Sequence, residues 1–187
     1  MKGKLLIGLL TGAIALVAVG VAAADRFRGT EGNDTIIGTM GPDVVVSLAG
    51  NDTIDSEGGD DRVYAGKGND TVLGGGGNDR IRGGEGEDSL SGGPGNDVLR
   101  GRPGNDTING GDGNDVIWVG RGADVQDGGD GNDRLHALAN DGQHDRLDCG
   151  PGVDVAIVNR NERETILNCE RVVERVPTPR QAAEDDK

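Results

Sequence analysis

An aspartate falls at every ninth residue: Asp34, Asp43, Asp52, Asp61, Asp70, Asp79, Asp88, Asp97, Asp106, Asp115, Asp124 and Asp133. With this Asp as position six of a nine-residue unit, position four is Gly in all twelve units. Position five is Asn in eight, and position eight is Ile, Val or Leu in eleven, Gln126 being the exception. A flexible linker would not keep an apolar residue two places after an acid over so many periods. Gly and Asn tolerate the left-handed backbone region, so positions one to five are predicted to form a tight turn. Positions seven to nine, such as Thr71-Val72-Leu73, have the residue types of a very short strand with its middle residue inward. One unit can bury nothing alone, but stacked copies can, and the repeat therefore predicts an all-β solenoid.

Composition decides what else such a solenoid needs. Gly makes up 36 of 187 residues and aromatics 2%, too few large side chains for an ordinary core. Acidic residues outnumber basic ones 33 to 19. A chain of this kind leans towards disorder without help. Its net charge of −14 disfavours nucleic acid and anionic membrane surfaces as partners and favours cations. Calcium is a hard cation that takes about six to eight oxygens, backbone carbonyls included. Clusters of His or Cys suited to zinc or copper are absent from the sequence. Stacked carboxylates repel one another without a cation, so folding is expected to depend on binding one.

The two ends differ from the repeat. Lys2 and Lys4 precede an apolar run from Leu5 to Ala24, and Ala22-Ala23-Ala24 offers a small-residue cleavage site. Residues 1–24 are read as a secretory signal peptide, with an uncleaved membrane anchor as the alternative. After cleavage no membrane contact is expected. In an exported chain the only two cysteines, Cys149 and Cys169, suggest one disulfide. Residues 137–176 lose the strict period and are expected to cap the solenoid, and 177–187 read as a disordered tail. His136 and His144 flank the period break and have no catalytic partners in the sequence, so they are read as surface or cap residues. No EF-hand loop or phosphate-binding Gly-Lys-Ser/Thr motif is present.

The units resemble the nonapeptide Gly-Gly-x-Gly-x-Asp-x-apolar-x of the hemolysin-type, or RTX, calcium-binding repeats. The best copies are Gly74 to Ile81, Gly83 to Leu90, Gly92 to Leu99, Gly110 to Ile117 and Gly128 to Leu135. The resemblance implies a right-handed parallel β-roll over 25–136, two nonapeptides per coil, so that residues 18 apart stack. Asp43, Asp61, Asp79, Asp97, Asp115 and Asp133 would line one edge. Asp34, Asp52, Asp70, Asp88, Asp106 and Asp124 would line the other. Calcium would sit between stacked turns, held by these carboxylates and by glycine-turn carbonyls. Six Asp per edge leave five gaps each, about ten ions at most. Before residue 74 positions one and two are never Gly-Gly, and those sites are expected to be weaker. Arg121 and Gln126 make Asp124 the doubtful ligand. The segment from Asp145 to Val172 resembles the C-terminal cap of small secreted actinobacterial repeat proteins, with Cys149–Cys169 as its staple. The resulting expectation is a secreted, non-catalytic calcium-binding module, outside the cell or at its surface, with a surface glycan or protein as further partner. The alternatives are an adhesin or an accessory module of a secreted hydrolase.

Overall fold

The computed structural model describes residues 6–10, 13–17, 25–162 and 164–176, and of the first two stretches only the strand pairing. Its strands form two sheets, one of ten strands and one of nine. Successive units go alternately to the two sheets. Thr53–Glu57 pairs in parallel with Thr71–Leu73, and Arg62–Lys67 with Arg80–Glu85, each residue facing the one 18 further on. This is the predicted parallel roll with two nonapeptides per coil. Among the described residues there is no helix long and apolar enough to cross a membrane.

The position-eight residues from both sheets meet between them. From Ile36 to Leu135 they are at most 2% exposed. Gln126 occupies the same column, fully buried between Ile108 and Leu147, and neither polar atom of its side chain has a hydrogen-bond partner among the described residues. The apolar row is therefore interrupted in chemistry but not in geometry, at a cost of about 1–3 kcal/mol for the unpaired amide. Phe27 packs onto Val45 and closes the first coil on the nine-stranded side.

Two details differ from the sequence expectation. Many strands are longer than positions seven to nine. Arg80–Glu85, Ser89–Pro94, Thr107–Asp112 and Val125–Asp130 each run on through position three of the next unit. Pairing of backbone needs no side chain, so Gly93 and Gly111 can carry the ladder where no β-former signals it. In addition, no position-five Asn has a positive φ. Each Asn side chain instead accepts the backbone N–H of position five in the following coil, as Asn78 does from Asn96 and Asn96 from Asn114.

The roll continues beyond residue 136. Arg146–Asp148 and Thr165–Leu167 extend the ten-stranded sheet, and Val155–Asn159 and Arg171–Arg175 extend the other. A Cys149–Cys169 disulfide ties the last coils of the ten-stranded side together. At the opposite end, Leu6–Leu10 and Ala13–Val17 pair antiparallel, and the latter lies parallel to Thr35–Thr39. The Ala22-Ala23-Ala24 cleavage triplet and the tail 177–187 lie outside the described residues.

Position four is always Gly for a reason the stacking makes plain. At Gly113 φ is 137°, and a Cβ there would overlap the carbonyl oxygen of Gly95 in the preceding coil. Gly76, at position three, faces open space and has no such constraint. Gly113→Ala is expected to cost more than about 3 kcal/mol, from overlap and backbone strain together, whereas Gly76→Ala changes little. Thermal unfolding of the two variants under identical calcium checks this, and equal melting temperatures would contradict it.

Candidate metal centre

The aspartates stand in two ladders, one along each row of turns. In each rung the backbone N–H of one Asp donates to Oδ1 of the Asp 18 residues later. The first ladder runs Asp34, Asp52, Asp70, Asp88, Asp106, Asp124 with N–O distances of 2.7–2.9 Å. The second runs Asp43, Asp61, Asp79, Asp97, Asp115, Asp133 at 2.6–2.8 Å. Both continue past the strict repeat. Asp124 donates to Asp145 and Asp133 to Asp154, each across 21 residues, and Glu164 and Glu170 close the two rows. These four acids were not among the predicted ligands. The signal was present, because Asp145-Arg146-Leu147, Asp154-Val155-Ala156, Glu164-Thr165-Ile166 and Glu170-Arg171-Val172 repeat the acid-x-apolar order.

A rung uses only half of each carboxylate. From Asp52 to Asp133 every repeat Asp buries its Oδ2 with no hydrogen-bond partner among the described residues. That oxygen points at position one of its own unit. Beside Gly74, the place a Cβ would take lies 2.5 Å from Asp79 Oδ2 and 2.6 Å from the carbonyl oxygen of Gly92, one coil on. Gly92, Gly110 and Gly128 have the same surroundings, with Asp97, Asp115 and Asp133 and the carbonyls of Gly110, Gly128 and Cys149. Two acceptor oxygens converge there, and the carboxylate one has no hydrogen-bond partner among the described residues. Such an oxygen-only cradle fits a hard cation and offers nothing to a thiolate- or imidazole-seeking one. Among the described residues no three acidic, imidazole or thiol side chains converge, so each cradle offers few carboxylates and relies on carbonyls.

The cradle is uneven along the roll. Glycine leaves it open beside Asp79, Asp88, Asp97, Asp106, Asp115 and Asp133. Ser47, Ser56, Ala65 and Val119 stand buried at position one in the units of Asp52, Asp61, Asp70 and Asp124 and put a side chain into that space. In the first two units glycine is present, but threonine at position two supplies donors. Thr30 N–H reaches Asp34 Oδ2 at 2.6 Å and Thr39 N–H reaches Asp43 Oδ2 at 2.7 Å, with both hydroxyls adding further bonds.

Burial dominates the electrostatics of the ladders. It pushes the carboxyls of Asp88, Asp97, Asp106 and Asp133 up to about 7, and neighbouring rungs add to the shift in all but Asp106, where nearby Glu87 does so. Asp124 is pushed up to about 8 by burial, with Asp145, Asp106 and Asp141 adding repulsion. His136, by contrast, is held near 4 by burial and by Arg134, Arg175 and Arg100, and its ring stacks on Trp118 with centroids 4.8 Å apart. It is a neutral packing residue, while His144 is exposed.

A family model of the RTX calcium-binding nonapeptide repeat (4 copies) matches residues 19–54, 37–72, 64–99, 73–108, 91–126, 100–135 and 127–155. No curated protein matches the chain.

The raised carboxyls fix a pH dependence. Each binds its proton more tightly folded than unfolded, where its value is about 4, so the cation-free fold loses stability as pH rises from about 4 to about 8. In chelator, far-UV circular dichroism should show more β-structure at about pH 5 than at about pH 8. Excess calcium should abolish the difference. More β-structure at the higher pH in chelator would contradict the account.

Proposed function

The chain belongs to the RTX calcium-binding nonapeptide repeat family, and on that premise we propose that it is a secreted module that folds on calcium and acts outside the cell by binding or scaffolding, without catalysis. The observation that carries this reading is the cradle beside Gly74, Gly92, Gly110 and Gly128. There a buried carboxylate Oδ2 with no hydrogen-bond partner among the described residues converges with a backbone carbonyl oxygen of the next coil. Calcium supplies the missing positive charge to both. A calcium ion held there by the Oδ2 atoms and carbonyls of adjacent coils would replace carboxylate repulsion with coordination. This chain's own contributions are the Oδ2 atoms, the carbonyls and the glycines that leave room for an ion.

Open cradles and facing carbonyls rank the sites. Asp79, Asp97, Asp115 and Asp133 have both the open cradle and the facing carbonyl, and they are the strongest ligands. Asp88 and Asp106 follow. Asp52, Asp61 and Asp70 sit beside filled cradles, Asp34 and Asp43 hold threonine donors, and Asp124 faces Val119. Occupancy therefore falls well below about ten ions. The apolar run of residues 1–24 supports export, and a disulfide suits an oxidising compartment. The half-buried, neutral, ring-stacked state of His136 supports a non-catalytic role. An adhesin differs from this reading only in its partner, whereas an accessory module of a secreted hydrolase is the alternative from the enzyme class.

Calorimetric calcium titration tests the ranking. The triple variant Asp79→Ala, Asp97→Ala, Asp115→Ala is expected to lose several ions and weaken the rest by about tenfold or more. Asp124→Ala is expected to leave the stoichiometry unchanged. Equal losses in the two proteins would overturn the assignment.

A further inference from the structure

The two sheets turn different chemistry outward. On the ten-stranded sheet Thr35, Thr53, Thr71, Ser89 and Thr107 form one cross-strand column of hydroxyls. On the nine-stranded sheet the corresponding column holds Arg26, Arg62, Arg80, Arg134 and Arg171, interrupted only by valines. Two residues further along each strand, Arg28, Arg82 and Arg100 share a second column with Tyr64, Trp118 and His136. No carboxylate stands in either column, although the chain as a whole carries a net charge of −14.

This segregation is costly by itself. Arg62 pairs directly with Arg80, and Arg82 with Arg100, across strands about 4.8 Å apart, where like charges destabilise a sheet. Among the described residues none of these guanidinium groups is ion-paired. The ion pairs lie elsewhere, as Lys67–Glu85, Arg146–Asp148 and Arg160–Glu174. Two of the arginines instead lie over rings, with Arg82 Cζ at 5.2 Å from the Tyr64 centroid and Arg100 Cζ at 4.7 Å from the Trp118 centroid. Stacking of that kind orients the guanidinium and leaves its N–H edge free for a bidentate oxyanion.

From this geometry we infer that the outward face of the nine-stranded sheet is a docking strip for a linear carboxylated polysaccharide. It rests on the calcium reading only in that the face exists once the roll has formed. The strip is about 7 Å wide between its two columns and runs about 29 Å from Arg26 to Arg134. That shape suits one extended sugar chain with carboxylates recurring along it. A nucleic-acid duplex is broader and more densely charged, and it would meet the acidic turns that border the sheet. Base stacking has no free ring at Trp118, which Arg100 and His136 cover on its two sides.

The test uses the full chain in calcium at low salt, with hyaluronate as the carboxylated polymer and dextran as its neutral counterpart. Circular dichroism first confirms that each protein is folded. Hyaluronate is expected to bind and dextran not, and binding should disappear at about 0.5 M salt. The variant Arg80→Ser, Arg82→Ser, Arg100→Ser should bind hyaluronate at least about tenfold more weakly, whereas Arg146→Ser on the opposite sheet should bind normally. Failure of the folded protein to bind hyaluronate would overturn the inference. So would equal binding by the triple variant, tighter binding to a DNA duplex, or self-association through this face. Chelation separates the two readings. Folding and polymer binding without calcium would sink the calcium reading alone, and calcium-induced folding without polymer binding would sink this one alone.

Discussion

Each repeat aspartate is asked to do two things with one carboxylate. Its Oδ1 takes the backbone N–H of the turn in the preceding coil, and that bond sets the vertical spacing of both turn rows. Its Oδ2 is then carried into the interior beside position one, where from Asp61 to Asp133 it has no hydrogen-bond partner among the described residues, Asp52 having the Ser47 hydroxyl beside it. A shorter or neutral side chain could not serve both ends. Glutamate replaces aspartate only in the last rungs, Glu164 and Glu170, where the backbone spacing changes. The unsatisfied oxygen is the physical reason for expecting a cation, because a buried anionic oxygen without a partner is costly and rows of them repel.

The glycines follow from the same rung. Where position one is glycine, Oδ2 and a neighbouring carbonyl converge on the space a side chain would fill, as at Gly74. Position four must be small because consecutive turns touch backbone to backbone, as at Gly95 and Gly113. Where position one carries Ser, Ala or Val the fold persists but the cradle is filled. The repeat can thus be read as units that stack and units that also bind, with stacking the more widely shared property. At the two ends other devices take over: Phe27 closes the first coil and the Cys149–Cys169 disulfide fastens the last.

Much of this was legible in the sequence. The nine-residue ruler placed the aspartates and the apolar column, the family resemblance supplied the pairing of residues 18 apart and with it the two ladders, and the two cysteines meet as expected. The extension of strands through glycines was not legible, because backbone pairing leaves no side-chain signature. The role of Asn was misread as backbone tolerance when its side chain forms its own ladder along the turns. Asp145 and Asp154 were hidden by an insertion that shifts them to 21 residues from their partners and breaks the ruler, although the acid-x-apolar order survives. The split between an arginine face and a threonine face could be seen only after the units were sorted into alternate sheets.

The roll buries rows of carboxylate oxygens without hydrogen-bond partners among the described residues, and calcium is the cation proposed to balance them. The most direct measurement is far-UV circular dichroism of the chelated protein at neutral pH during calcium titration, with magnesium as the comparison. A cooperative gain of β-structure with calcium and little with magnesium is the predicted result, since magnesium demands strict geometry and keeps its waters. A chelated protein that already shows its full β-spectrum, or one that gains none when calcium is added, would contradict the account.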